Sequence, residues 1–207
     1  MDMSRPISAV IPSLDGEVLS VLAGTTAPMT GRQIHRLARR GSQSGVNNVL
    51  VRLDRQGLVD VVHGGSANLY SLNRDHVAAA AVTDLADMRR VLFDRFRQAM
   101  SGWSRPPMAA AIFGSVARGD GDSDSDIDLI LVRPDDVEEE EPAWSAAVEQ
   151  LSRQGRRWSG NAVSVIQVDA LQVADMVARG EPIVERLRAE SISLLGMPVL
   201  DAAAVSA

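Results

Sequence analysis

Residues 112–132 read IFGSVARGDGDSDSDIDLILV, and the rest of the chain is best read outward from them. Met108–Phe113 has the small and branched residues of a strand, Ile127–Val132 those of a second, and a polar, glycine-rich loop joins the two. Gly114 permits close backbone approach, and Ser115 offers an N–H and a hydroxyl suited to phosphate oxygens. Arg118 adds a fork of donors for the same anion. Asp126 and Asp128 stand at i and i+2 of the second strand, so both carboxylates leave one face while Ile127 and Leu129 point into a core. Two adjacent carboxylates repel each other and are best tolerated around a divalent cation. A Gly-Ser cradle opposite such a pair describes a metal–nucleotide site, suited to phosphoryl or nucleotidyl transfer.

The aspartate run does not make a calcium loop. With Asp122, Asp124 and Asp126 as the first ligands, Ile127 falls where glycine is required and Arg133 where the bidentate glutamate belongs. Asp120, Asp122 and Asp124 read as loop polarity instead.

Composition narrows the chemistry. The 207 residues include no cysteine, and all 21 basic residues are arginine. There is therefore no disulfide framework, thiol nucleophile, Schiff-base lysine or P-loop lysine, and phosphate must be handled by arginine, backbone N–H groups, hydroxyls or metal. No apolar run is long enough to span a membrane, and Asp2, Pro12 and Asp15 interrupt anything resembling a secretory signal. A cytoplasmic protein without membrane association is expected. The net charge of −6 is uneven: residues 1–76 carry 8 arginines against 6 acids, and residues 77–207 carry 13 against 21. A mildly basic first third can bind DNA locally although the whole is acidic.

Along the first third, residues 15–24 read as a helix with Asp15 as N-cap, and 30–40 as a second helix opened by a Thr30–Gln33 capping box, with Ile34, Leu37 and Ala38 on its apolar face. A third helix spans 44–56. Leu58–Val62 and Ala67–Leu72 form a hairpin around His63-Gly64-Gly65-Ser66. One long helix is expected over 77–100, with a stripe from Val77 to Met100. After the two central strands come an acidic loop at 134–142, helices near 142–155, 170–178 and 182–190, and strands at 162–169 and 192–195.

Two resemblances rest on these residues. The stretch VNNVLVRLDRQGLVDVVHGGSANLYSLN at 46–73 resembles the winged helix-turn-helix family. GSVARG at 114–119 and SDID at 125–128 resemble the signature of the DNA polymerase beta-like nucleotidyltransferase superfamily, in the form carried by minimal nucleotidyltransferases. Together they imply an α+β protein. A DNA-binding domain would span 1–76 and a connector helix, packed on the second domain, 77–105. A small mixed-sheet nucleotidyltransferase domain would follow over 106–207. Carried over, Asp126 and Asp128 bind magnesium, with two ions expected in an active enzyme, and Gly114 and Ser115 hold the phosphates of a nucleoside triphosphate with help from Arg118. The superfamily usually adds a third carboxylate on a later strand. Here either Asp169 supplies it or a neutral residue such as Ser164 holds the position. The winged helix would present Gln43, Ser44, Asn47, Asn48 and Arg52 to the major groove, with His63 and Asn68 in the wing. The implied activity is transfer of a nucleoside monophosphate to a hydroxyl of a small molecule or a protein. Minimal nucleotidyltransferase antitoxins modify a partner toxin, and a DNA-binding domain suits an antitoxin that represses its own operon. Expected partners are DNA, a protein acceptor such as a cognate toxin, and a second copy of the chain. The competing reading is a regulator whose nucleotidyltransferase-like domain has lost catalysis and senses nucleotide.

Overall fold

The computed structural model describes residues 1–65, 67–138 and 140–204. Ser66 of the expected turn and Glu139 of the acidic loop lie outside the described residues. The chain divides into two compact units, one of residues 5–89 and one of residues 1–4 with 90 onward.

The first unit runs α1 (Leu14–Ala23), β1 (Met29–Thr30), α2 (Gly31–Ala38), α3 (Gln43–Arg55), β2 (Val59–Gly64), β3 (Ala67–Leu72) and α4 (Ala79–Ala86). The Thr30–Gln33 capping box forms as its spacing dictates, each side chain accepting from the other's backbone. Asp15, in contrast, is not a cap. Ser13 takes that position, and its hydroxyl donates to Asp15 at 2.9 Å. Leu37 is 53% exposed, because α2 ends at Ala38 and only Ile34 and Ala38 reach the core. That core gathers Val18 and Leu22 of α1, Ile34, Val46, Leu50 and Leu53 of α2 and α3, and Tyr70 and Leu72 of β3. The antiparallel hairpin pairs His63 with Asn68, and β1 extends it on the β3 side to make a three-stranded sheet.

The expected single helix over 77–100 is two helices, α4 and α5 (Met88–Ser101), which break at Asp87. The stripe serves two cores: Leu85 packs on that of the first unit, whereas Leu92, Phe96 and Met100 join that of the second. Val77, placed on that stripe from spacing, is almost fully exposed.

The second unit continues β4 (Ala109–Phe113), α6 (Gly114–Arg118), β5 (Ile127–Val132), α7 (Pro142–Ser159), β6 (Val163–Val168), α8 (Ala170–Arg179), α9 (Pro182–Glu190) and β7 (Ile192–Gly196). Its sheet is mixed, in the order β6-β5-β4-β7, with β5 and β6 parallel and β4 antiparallel to both neighbours. Ala110, Ile112, Ile127, Leu129 and Leu131 bury one face with Phe96, Trp144 and Leu151 of α5 and α7. Ala109, Ala111, Phe113, Ile130 and Val132 bury the other with Val173 and Leu187 of α8 and α9. Alternation along β4 and β5 therefore serves two layers, as expected for strands buried on both faces. No described helix is long and apolar enough to cross a membrane.

Candidate active site

Strand β4 ends at Phe113, which pairs with Asp128 across the β4–β5 ladder. The next residue, Gly114, has φ of +72°, a conformation that L side chains rarely adopt. A Cβ there would lie 2.5 Å from Asp128 Oδ2 and 3.4 Å from Arg186 Nη2. Glycine is thus required twice, for the backbone turn and for the approach of a carboxylate and a guanidinium. Ser115 is the second residue of the short α6, and its carbonyl accepts from the N–H groups of Gly119, Asp120 and Gly121 at 3.0–3.1 Å. The first five residues of the stretch read as loop therefore form a single helical turn, and the remainder to Asp126 is non-helical.

The aspartate loop beyond it is held by its own atoms. The Ser125 hydroxyl donates to Asp122 at 2.8 Å and the Asp124 N–H to the same oxygen at 3.0 Å. These bonds, led by that of Ser125, hold the Asp122 carboxyl below the usual carboxylate range, so Asp122 shapes the loop. Buried Asn161 adds a clamp: its amide donates to the carbonyls of Asp122, Ser123 and Ser125 at 3.3, 3.4 and 2.9 Å, and its Oδ1 accepts from the Met1 nitrogen at 2.7 Å. Met3 and Ser4 donate from their backbone to the Gly121 carbonyl at 2.8 and 3.0 Å. Asn161→Ala removes the amide shared by three part-buried carbonyl contacts. The expected cost is about 1 kcal/mol of stability or somewhat more, read as a lower melting temperature.

The loop delivers Asp126, exposed, and Asp128, half-buried, to the start of β5. Burial raises the Asp128 carboxyl above the usual range. Arg186 opposes that shift, while the negative charges of Asp126 and Glu190 add to it. This surplus of negative charge is what a divalent cation relieves, and the donor set, two carboxylates spaced i and i+2 where the loop enters β5, suits a hard cation such as magnesium.

Asp169 does not join the pair. In the parallel β5–β6 register Asp128 stands beside Ser164, and Asp169 follows Val168, the partner of Val132, at the opposite end of the sheet. There it caps α8 in a capping box with Gln172 and pairs with buried Arg133 at 3.3 Å. Ser164, a neutral residue, occupies the place on β6 beside the aspartates. This end could have been read from sequence: a strand–helix–strand crossover makes β5 and β6 parallel, and parallel strands bring their starts together.

Two residues of the site carry no sequence signal. Arg186 and Glu190 lie on α9, which packs on β4 and α6. Arg118, half-exposed, donates to Asp120 at 3.1 Å and to Glu190 at 2.5 Å. These bonds, that to Glu190 foremost, raise the Arg118 pKa and lower that of Glu190.

In the first unit, Ser44, Asn47, Asn48 and Arg52 are exposed on α3, and His63 and Asn68 on the hairpin, where they bond at 3.0 Å. Gln43 donates to Asn47 at 3.1 Å, and the two line a polar cleft of about 560 Å³ with Thr30, Arg32 and Asn68. Ser44 shares a hydrogen bond with Ser42. Arg52 is turned away from this group: it is ion-paired with Asp15 of α1 and reaches Gln56.

Residues 94–184 match the nucleotidyltransferase domain family. No curated protein matches the chain. Among solved structures, a crystal structure of a toxin-antitoxin with AMP-PNP aligns at 15% identity and a TM-score of 0.36, covering 55% of this chain and 86% of that one. Human N-acetylserotonin methyltransferase in complex with SAM aligns at 16% identity and a TM-score of 0.28, covering 48% of this chain and 30% of that one.

Proposed function

We propose that the second unit transfers a nucleoside monophosphate from a nucleoside triphosphate to a hydroxyl. The observation that carries this reading is the convergence at Gly114: the glycine turn, Ser115 and the Asp126–Asp128 pair meet at one sheet end, within a segment that matches the nucleotidyltransferase domain family. In the reaction, the acceptor oxygen bonds to the α-phosphorus and the α–β phosphoanhydride bond breaks. Pyrophosphate leaves, and the hydroxyl gives up its proton to solvent water. Magnesium held by Asp126 and Asp128 would neutralise charge on the reacting oxygens. Ser115 places an N–H and a hydroxyl toward the phosphates, and Arg118 supplies a cation where no lysine exists to do so. The test is incubation with magnesium and α-labelled nucleoside triphosphates, with and without candidate acceptor proteins. Label on an acceptor with release of pyrophosphate is expected.

A second reading has its own support in Ser164. With no acid beside Asp128 on β6, deprotonation of the acceptor lacks the usual carboxylate, and a nucleotide-sensing regulator would need none. Tight nucleotide binding without turnover in the presence of every acceptor would favour it.

The first unit is proposed to bind DNA as a winged helix, α3 lying in the major groove and the hairpin beside it. Support comes from the order of three helices and a hairpin and from the exposed amides of α3. An antitoxin that modifies a protein partner and represses its own operon would combine both units. The double variant Asn47→Ala/Asn48→Ala is expected to weaken binding to a duplex of its own upstream region by about ten- to hundredfold in an anisotropy titration. Arg52→Ala should weaken it less, since Arg52 is engaged with Asp15.

A further inference from the structure

One carboxylate in the second unit is held by two arginines from different elements. Arg118 Nη1 of α6 donates to Glu190 Oε2 at 2.5 Å, and Arg186 Nε of α9 lies 3.6 Å from Glu190 Oε1. The Glu190 side chain is only 11% exposed, and its Oε1 is buried facing Arg186 at 3.6 Å, just beyond ordinary hydrogen-bond distance. The Arg186 guanidinium lies over the Phe113 ring, 5.2 Å from its centroid, which fixes it at the end of β4. It also stands beside Asp128 over Gly114, since a Cβ on that glycine would lie within 3.4 Å of both groups. Two guanidinium groups, the Gly-Ser turn and the aspartate pair therefore converge, and the anion among them belongs to the protein itself.

A triphosphate offers more acceptor oxygens and more negative charge than a carboxylate, and guanidinium forks match phosphate geometry well. Resting on the nucleotidyltransferase reading, we infer that Arg186 is the second cation, beside Arg118, of a subsite for the β- and γ-phosphates, and that Glu190 fills this subsite until the nucleotide displaces it. Glu190 keeps both arginines in place in the empty site and competes with the incoming substrate. Arg186 also faces the group that departs as pyrophosphate, where negative charge grows as the α–β bond breaks.

The test is calorimetric titration of the full chain with ATP, GTP, CTP and UTP in turn, calcium replacing magnesium to hold off turnover, with a thermal melt of each variant to show that it is folded. Arg186→Gln should weaken binding of the preferred nucleotide about ten- to hundredfold. Arg186→Lys should retain most of the affinity, and Glu190→Gln should bind more tightly than the unsubstituted chain. Unchanged affinity in Arg186→Gln, or weaker binding in Glu190→Gln, overturns this assignment while leaving the nucleotidyltransferase reading standing. No binding of any of these nucleotides by the unsubstituted chain overturns that reading, and the assignment with it.

Discussion

Asp128→Asn should abolish nucleotidyl transfer, by at least about a thousandfold, and should at the same time raise the thermal stability of the metal-free protein. In the proposed reaction the loss follows from removing one of the two carboxylates that would hold the cation; several kcal/mol of transition-state stabilisation corresponds to three decades or more in rate. The gain follows from proton linkage. The Asp128 carboxyl is raised above its ordinary value, chiefly by burial. The folded state therefore holds the proton more tightly than the unfolded chain does. Its stabilising effect is complete below the unfolded pKa and is lost as pH rises through the raised folded value, so at neutral pH the ionised carboxylate opposes folding. Asparagine carries no such charge. Calorimetric melts at neutral pH without metal should place the variant above the unsubstituted chain, and the gap should shrink in acid. Magnesium should raise the melting temperature of the unsubstituted chain alone. A variant that is inactive and also less stable at every pH would mean that Asp128 serves the fold and not a cation.

This opposition between stability and function explains which parts of the site were legible in the sequence. Strand β5 could be read to the residue, because the near-continuous apolar run of Ile127 and Leu129–Val132 is a local pattern with turn residues before it. The aspartates announced themselves by breaking that pattern at its start. Asp169 misled because parity along a strand assigns a face but says nothing about an end; the end came from the parallel pairing of β5 with β6. Arg186 and Glu190 were invisible for a different reason. Their spacing of four on α9 is that of any exposed helical ion pair, and only the docking of α9 on β4 and α6 turns it toward Gly114. The connector shows the same limit. A continuous apolar stripe cannot reveal that its two halves enter two cores, as Leu85 and Phe96 do.

Gly114→Ala should cost both stability and activity, and a second glycine separates the two effects. Gly114 and Gly180 both have positive φ, +72° and +62°. An alanine in that region costs about 1–2 kcal/mol through Cβ contact with its own backbone, so both substitutions should lower the melting temperature, Gly114→Ala at least as much as Gly180→Ala. Their surroundings differ. No described heavy atom lies within 4 Å of a Cβ on Gly180, whereas one on Gly114 would stand 2.5 Å from Asp128 Oδ2 and 3.4 Å from Arg186 Nη2. The first distance is closer than real Cβ contacts allow, and the Asp128 carboxylate cannot swing away without leaving the face it shares with Asp126. A displacement of about an ångström at a reacting centre costs on the order of a hundredfold in rate. Gly114→Ala should therefore lose about that much nucleotidyl transfer or more, with the loss in kcat, while Gly180→Ala turns over at the unsubstituted rate below its melting temperature. Equal turnover by the two variants would show that the Asp128 carboxylate need not stand against Gly114 for the reaction to proceed.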